Sequence, residues 1–219
     1  VFKAIKMTEF HDWHSKTLAE KVVRKLCRNF FNGMYFGTSA EAAAYIMEQI
    51  TPGMQVAFGG SMTIRNLQIR QKAAEKGAIL IDHGAEGLTD SQKLEVMRRE
   101  LTSDLFISST NAITADGILV NVDGYGNRVA AMIFGPQKVI VVAGINKIVK
   151  DEEAAFDRLG LVAGPMNMKR LNRGTPCTED AVCHNCSAEN RGCRAYTIIR
   201  KRPAHTPTDV IIVGENLGM

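Results

Sequence analysis

Four runs, MQVAFGG (residues 54–60), AILID (78–82), DLFISST (104–110) and KVIVVAG (138–144), each carry three or more consecutive apolar residues, and the first three are separated by segments with helical spacing. A strand that is apolar on both faces has to be covered on both faces. Short strands of this kind, alternating with helices across brief connections, specify a parallel sheet between helical layers. Helices are predicted from about Ile64 to Lys76 and over TDSQKLEVMRREL (89–101), with EEAAFDRLG (152–160) after the fourth strand. AYTIIR (195–200) and DVIIVGENLG (209–218) read as two further strands. The expected fold class is therefore α/β, a central, mostly parallel sheet with flanking helices.

Ahead of this core, Leu18, Val22, Leu26 and Phe30 recur every four residues and predict an amphipathic helix that Asn32-Gly33 stops. Thr38 and Glu41 form a capping-box pattern at the start of an Ala-rich helix. The segment ITADGILVNVDGYGNRVAAMIFG (113–135) holds Asp116-Gly117 and Asp123-Gly124 between short β-type runs, so a small antiparallel annex is expected there. At 219 residues a single domain, 1–219, is expected, with a helical region at 1–50, an α/β core with its inserted hairpin at 51–165, and a cysteine-rich loop with the final strands at 166–219.

A hydrophobic fraction of 45% with 23% charged residues excludes a mainly disordered or coiled-coil chain. No stretch approaches the roughly 18 consecutive apolar residues of a membrane span, so no membrane partner is expected. The opening residues carry charges and histidines where a secretion signal needs an apolar core, which points to the cytoplasm. The formal net charge is +4, yet Lys169 to Arg202 holds eight basic and three acidic residues, leaving the rest of the chain at −1. That distribution argues for compensation of a bound anionic centre and against nucleic-acid binding.

The same segment holds Cys177, Cys183, Cys186 and Cys193, four thiols within seventeen residues among Pro, Gly, Asn and Ser. Four soft ligands on a loop suit an iron–sulfur cluster such as [4Fe-4S], or alternatively a structural zinc. His184 is a further candidate ligand. The competing reading is a reduced cytosolic loop with no metal.

Gly59, Gly60, Ser61 and Thr63 follow a strand and open a helix, offering close backbone approach, hydroxyls and unpaired amides to an anion. Asn111, Thr114 and Gly117 lie near the carboxyl end of the third strand, where open parallel sheets bind ligands, with Asn127 in the following turns. Asp116 and Asp123 are candidate proton acceptors and Arg128 a candidate carboxylate or phosphate clamp. The alternative is that these residues serve only turn geometry. Lys147, just after the fourth strand, reads as reaching toward a ligand or, by default, as a surface lysine, and Glu215 as either a catalytic carboxylate or a cap.

GGSMTIRNLQI, FISSTNAITADGILVNVDGYGNRVAAMIFGPQKVIVVAGINKIV and the late GENLG resemble the LUD domain family, the domain of bacterial lactate-utilization proteins. The resemblance runs from about the second helix to the end. It implies a NagB/RpiA/CoA-transferase-like fold, related to ribose-5-phosphate isomerase, glucosamine-6-phosphate deaminase and CoA transferases. It also implies that Gly59, Gly60, Ser61 and Thr63 bind an anionic group, that Asn111, Thr114, Asp116 and Gly117 form a second polar loop, and that Asp123, Asn127 and Arg128 belong to the family signature. The chain resembles a subset carrying its own cysteine loop.

The function expected is binding of a small anionic metabolite, lactate or another hydroxy acid, beside a cysteine-ligated redox centre that serves a redox protein partner, with a homo-oligomer plausible. Two alternatives stand beside it. One is a phosphosugar-isomerase or CoA-transferase-like enzyme with structural zinc, and the other a non-catalytic accessory or regulatory protein.

Overall fold

The computed structural model describes residues 7–219. In chain order the elements are α1 (Met7–Arg28), β1 (Asn32–Phe36), α2 (Ser39–Glu48), β2 (Gln55–Phe58), α3 (Met62–Asn66), α4 (Ile69–Glu75), β3 (Ile79–Ile81), α5 (Asp90–Glu100), β4 (Leu105–Ser109), β5 (Ala112–Thr114), β6 (Leu119–Asp123), α6 (Asn127–Ile133) and β7 (Lys138–Gly144). A 3-10 turn (Ile145–Lys147) leads to β8 (Ile148–Val149) and α7 (Glu152–Arg158). A π-helical turn (Leu159–Ala163) then runs into α8 (Gly164–Arg170), and α9 (Cys177–Asp180), β9 (Ala195–Ile199) and β10 (Thr208–Val213) complete the chain.

Six strands form one sheet in the order β1-β10-β7-β4-β2-β3, every pairing parallel. Its residues alternate between two cores. Val139, Val141, Val210 and Ile212 face a layer made by α1, α6 and the second sheet, while Ile140, Val142, Ile211 and Val213 face α2, α3 and α4. Burial on both sides is what makes these strands continuously apolar.

The second sheet, β8-β5-β6-β9, is mixed. The β5–β6 hairpin and the β6–β9 pair are antiparallel, as expected of the annex, but β5 and β8 run parallel. The two late strands separate, β10 entering the main sheet between β1 and β7 and β9 the edge of the small one.

Three local readings are corrected. Asn32-Gly33 begins β1 and does not end α1; Phe30, in a left-handed conformation at φ 68°, makes that turn. The helix expected from about Ile64 to Lys76 is two helices, broken where Gln68 adopts φ 53°. Asn127–Ile133 is helix and not strand. No helix among the described residues is long and apolar enough to cross a membrane.

Candidate functional site

The chain leaves β2 for β3 on one side and returns to β4 on the other. This is the switch point at which open α/β sheets form a crevice beyond the strand ends. A cavity of about 90 Å³ lies there, lined by Ser61, Thr63, Ser109, Asn111, Arg128 and Lys147 among others. Ser61 caps α3 by accepting the Ile64 N–H at 3.4 Å. Lys147, on the 3-10 turn after β7, is only 4% exposed. Its Nζ donates to Thr63 Oγ1 at 2.8 Å, Ser109 Oγ at 2.9 Å and the Thr110 carbonyl at 3.1 Å. All three partners are neutral oxygens. Burial, reinforced by the Arg158 and Arg128 guanidiniums, pulls its pKa from 10.5 down to about 7.

Arg128 has no donor left for a ligand. Nε donates to Asp123 Oδ1 at 3.1 Å, Nη1 to the Ser109 carbonyl and Asn121 Oδ1, and Nη2 to Asn111 Oδ1 and the Val122 carbonyl. Those bonds use all five guanidinium N–H groups. Arg128 ties the ends of β4 and β6 to α6 and adds charge to the cavity without clamping its occupant. Asp123 is occupied too, its Oδ2 accepting the Val129 N–H at 3.1 Å. The guanidinium at the rim is Arg170, held by Nε and Nη2 bonds of 3.1 and 2.7 Å to Asn167 Oδ1.

Cys177, Cys183, Cys186 and Cys193 line a second, mostly apolar cavity together with His184 and Met168. All four thiols are free, and burial pushes Cys193 up, with Cys183 adding to the effect. The Asn185 N–H donates to Cys183 Sγ at 3.4 Å, and the Thr175 hydroxyl lies 3.3 Å from Cys177 Sγ. Among the described residues no three His, Cys, Asp or Glu side chains converge tightly enough to hold one metal ion. The four thiols line one shared chamber. His184 is paired with Asp180 at 2.7 Å.

The basic excess does not gather at these thiols. Arg200 pairs with Glu152, Arg202 donates to the Phe30 carbonyl, Lys201 sits 5.2 Å over the Phe30 ring, and Arg170 faces the other cavity. Arg191 stays, donating to the Cys186 and Cys193 carbonyls, and Arg194 bonds the Glu189 carbonyl. One helical wall separates the two chambers. Ala163, Asn167 and Arg170 line the first, while Met168 lines the second and Gly160 and Gly164 lie against Cys183 and Cys193.

The sequence matches the LUD domain over residues 19–213. The chain belongs to the LUD domain family. Among solved structures it is similar to a DUF162 family protein from Deinococcus radiodurans, at 12% identity and a TM-score of 0.53, covering 91% of this chain and 98% of the other. Ribose 5-phosphate isomerase from Plasmodium falciparum matches at 14% identity, a TM-score of 0.32, and 57% and 55% coverage. The beta subunit of eIF2B from Chaetomium thermophilum matches at 19% identity, a TM-score of 0.37, and 52% and 43% coverage. No match was found among curated proteins.

In this LUD domain, Gly60, Ser61, Thr63, Asn111, Asp123 and Arg128 meet at the first cavity. Other expected residues lie away from it. Asp116 is exposed and pairs with Lys25 at 3.1 Å, its turn held to α1 by Asn29. Gly117, at φ 75°, lets that turn approach Leu26, where a Cβ would come within 2.7 Å of the backbone nitrogen. Gly59 is required by packing, since a Cβ there would meet Ser108 Oγ at 2.5 Å. Thr114 is buried and accepts the Ile118 N–H. Asn127 donates to Glu100, and Glu215 accepts the Ser39 N–H at 3.1 Å, outside the cavity lining.

Lys147, which the sequence offered as either a ligand contact after this strand or a surface lysine, stands just past the end of β7 and is buried in the cavity lining. One feature of the LUD domain escaped the sequence reading. Beside Gly60, His83 Nδ1 bonds the fully buried Glu100, whose hydrogen bond raises the imidazole pKa. Nothing local marks that pair, because its partners are seventeen residues apart.

Proposed function

We propose that this LUD domain binds a small anionic metabolite, lactate or another hydroxy acid, in the Lys147 cavity, beside an iron–sulfur cluster carried by Cys177, Cys183, Cys186 and Cys193. The observation that carries the first half is a buried amine surrounded by neutral oxygens and by the cations Arg158 and Arg128. A buried cation without a carboxylate partner is costly, and an incoming anion relieves that cost. Ser61 and the amides of the first turn of α3 orient the anion, and Arg170 adds charge at the rim.

The second half is supported by an all-thiol donor set lining one apolar chamber. When bound, such a cluster supplies one-electron transfer. Arg191, bonded to two of the four cysteine carbonyls, shapes the loop and offsets the cluster's negative charge. Glu215, the carboxylate an isomerase or transferase reading requires, is engaged with the start of α2 instead.

Anaerobic purification followed by iron, sulfide and zinc analysis tests the centre. Iron and sulfide in equal amounts, lost in Cys186→Ser, are expected; zinc alone overturns the cluster. Calorimetric titration with lactate tests the cavity. Uptake of a proton on binding above the Lys147 pKa is expected, and equal binding by wild type and Lys147→Met overturns the assignment.

A further inference from the structure

Anion binding alone does not explain how Lys147 is held. The three N–H groups of a Lys147 ammonium are all directed at Thr63 Oγ1, Ser109 Oγ and the Thr110 carbonyl, so toward an anion it acts through its charge and not through a free N–H. The charged groups facing it are Arg158 from α7 and Arg128 from α6, the latter paired with Asp123, with Arg170 from α8 at the rim. With its pKa pulled down to about 7 the amine is neutral above that pH, and its lone pair then faces two hydroxyls, Thr63 and Ser109, that can exchange protons with it. Ser109 Oγ also lies 3.3 Å from Thr63 Oγ1 and 3.2 Å from the Thr110 carbonyl, so the hydroxyls can exchange donor and acceptor roles as protons move.

We propose that Lys147 is a nucleophilic amine that forms an imine with the carbonyl carbon of a small 2-oxo acid bound in this cavity. The proposal rests on the reading of the cavity as an anion site and adds a covalent step to it. The amine lone pair forms a C–N bond while the carbonyl π pair moves to oxygen. That oxygen takes the proton released by nitrogen, relayed by Ser109 or Thr63. The C–O bond then breaks with a second proton transfer, and water leaves as the C=N bond forms. Amine and carbonyl become imine and water, with no oxidant or reductant. Lys147, Ser61 and Arg170 line one cavity, so a single ligand can present a carbonyl to the amine and an anionic group to the cations beside it. A 2-oxo acid has that arrangement.

The test incubates the full chain with pyruvate or glyoxylate above the amine's pKa of about 7, reduces it with borohydride, and maps the adduct by peptide mass spectrometry. A single reduced adduct on Lys147 is expected, formed at a rate that rises through that pKa and is slowed by excess lactate, which lacks the carbonyl. Lys147→Met should lose the adduct and Lys150→Met, at an 88% exposed side chain, should keep it. Mapping the wild-type adduct needs no variant to fold. An adduct scattered over surface lysines, or none at all while pyruvate still raises the melting temperature, overturns the imine and leaves the anion site standing. Absence of both adduct and melting shift overturns the two together.

Discussion

Arg128 shows how one side chain can hold a site without touching its ligand. Its five donors reach two side-chain amides, two carbonyls and Asp123, and the residue is only 9% exposed. Removing the guanidinium strands the partly buried Asp123 carboxylate and several acceptors at once. Arg128→Ala is expected to lose about 3–5 kcal/mol of unfolding free energy, measured by urea titration, with Arg128→Lys recovering little because an ammonium cannot reproduce the fork. A loss below about 1 kcal/mol would mean that the network is dispensable. The contrast with Lys147 is chemical. Arg128 has the Asp123 carboxylate beside it, whereas Lys147 is surrounded by neutral oxygens and its pKa falls to about 7.

At the scale of elements, the clearest signals are those decided within four residues. Thr38 and Thr89 each form a complete capping box, with Glu41 and Gln92 closing the reciprocal bond. Thr89→Ala is expected to cost about 1 kcal/mol, read as a lowered urea midpoint with unchanged slope; an unchanged midpoint would show that α5 is held by packing alone. The Thr38 cap, the buried strands and the hairpin at Asp116-Gly117 were legible because hydrogen bonding and periodicity act locally. β1 was not, since Asn32-Gly33 has the look of a helix stop and only pairing with β10 makes it a strand. α6 was hidden for a related reason, because Asp123, across a turn, supplies the acceptor for the Val129 N–H. The candidate site divides the same way. The glycine loop and the cysteine spacing are contiguous in the sequence, but the burial of Lys147 exists only once β2, β4 and β7 stand side by side.

For the whole molecule, the buried amine couples stability to pH. Lys147 holds its proton up to about pH 7 when folded, against 10.5 when unfolded. Between those values the unfolded chain carries the extra proton, so this group makes the fold more stable as pH rises through that window. Urea unfolding of wild type and Lys147→Met across the window should show wild type gaining on the variant as pH increases. A constant difference between them would sink the argument. An anion in the cavity stabilises the protonated form and should flatten the slope.

The Leu159–Arg170 segment has a consequence for how this protein can change over time. It is a partition one helix thick, with Ala163 on one side and Gly160 and Gly164 on the other. Adding a Cβ at Gly164 would place it 2.7 Å from the Leu159 carbonyl and 3.6 Å from Cys193 Sγ, so growth on the thiol side shifts the backbone that carries Asn167 and Arg170. Neither chamber can drift by itself. Substitutions that retune one are filtered by the needs of the other, and the two are inherited as a single unit.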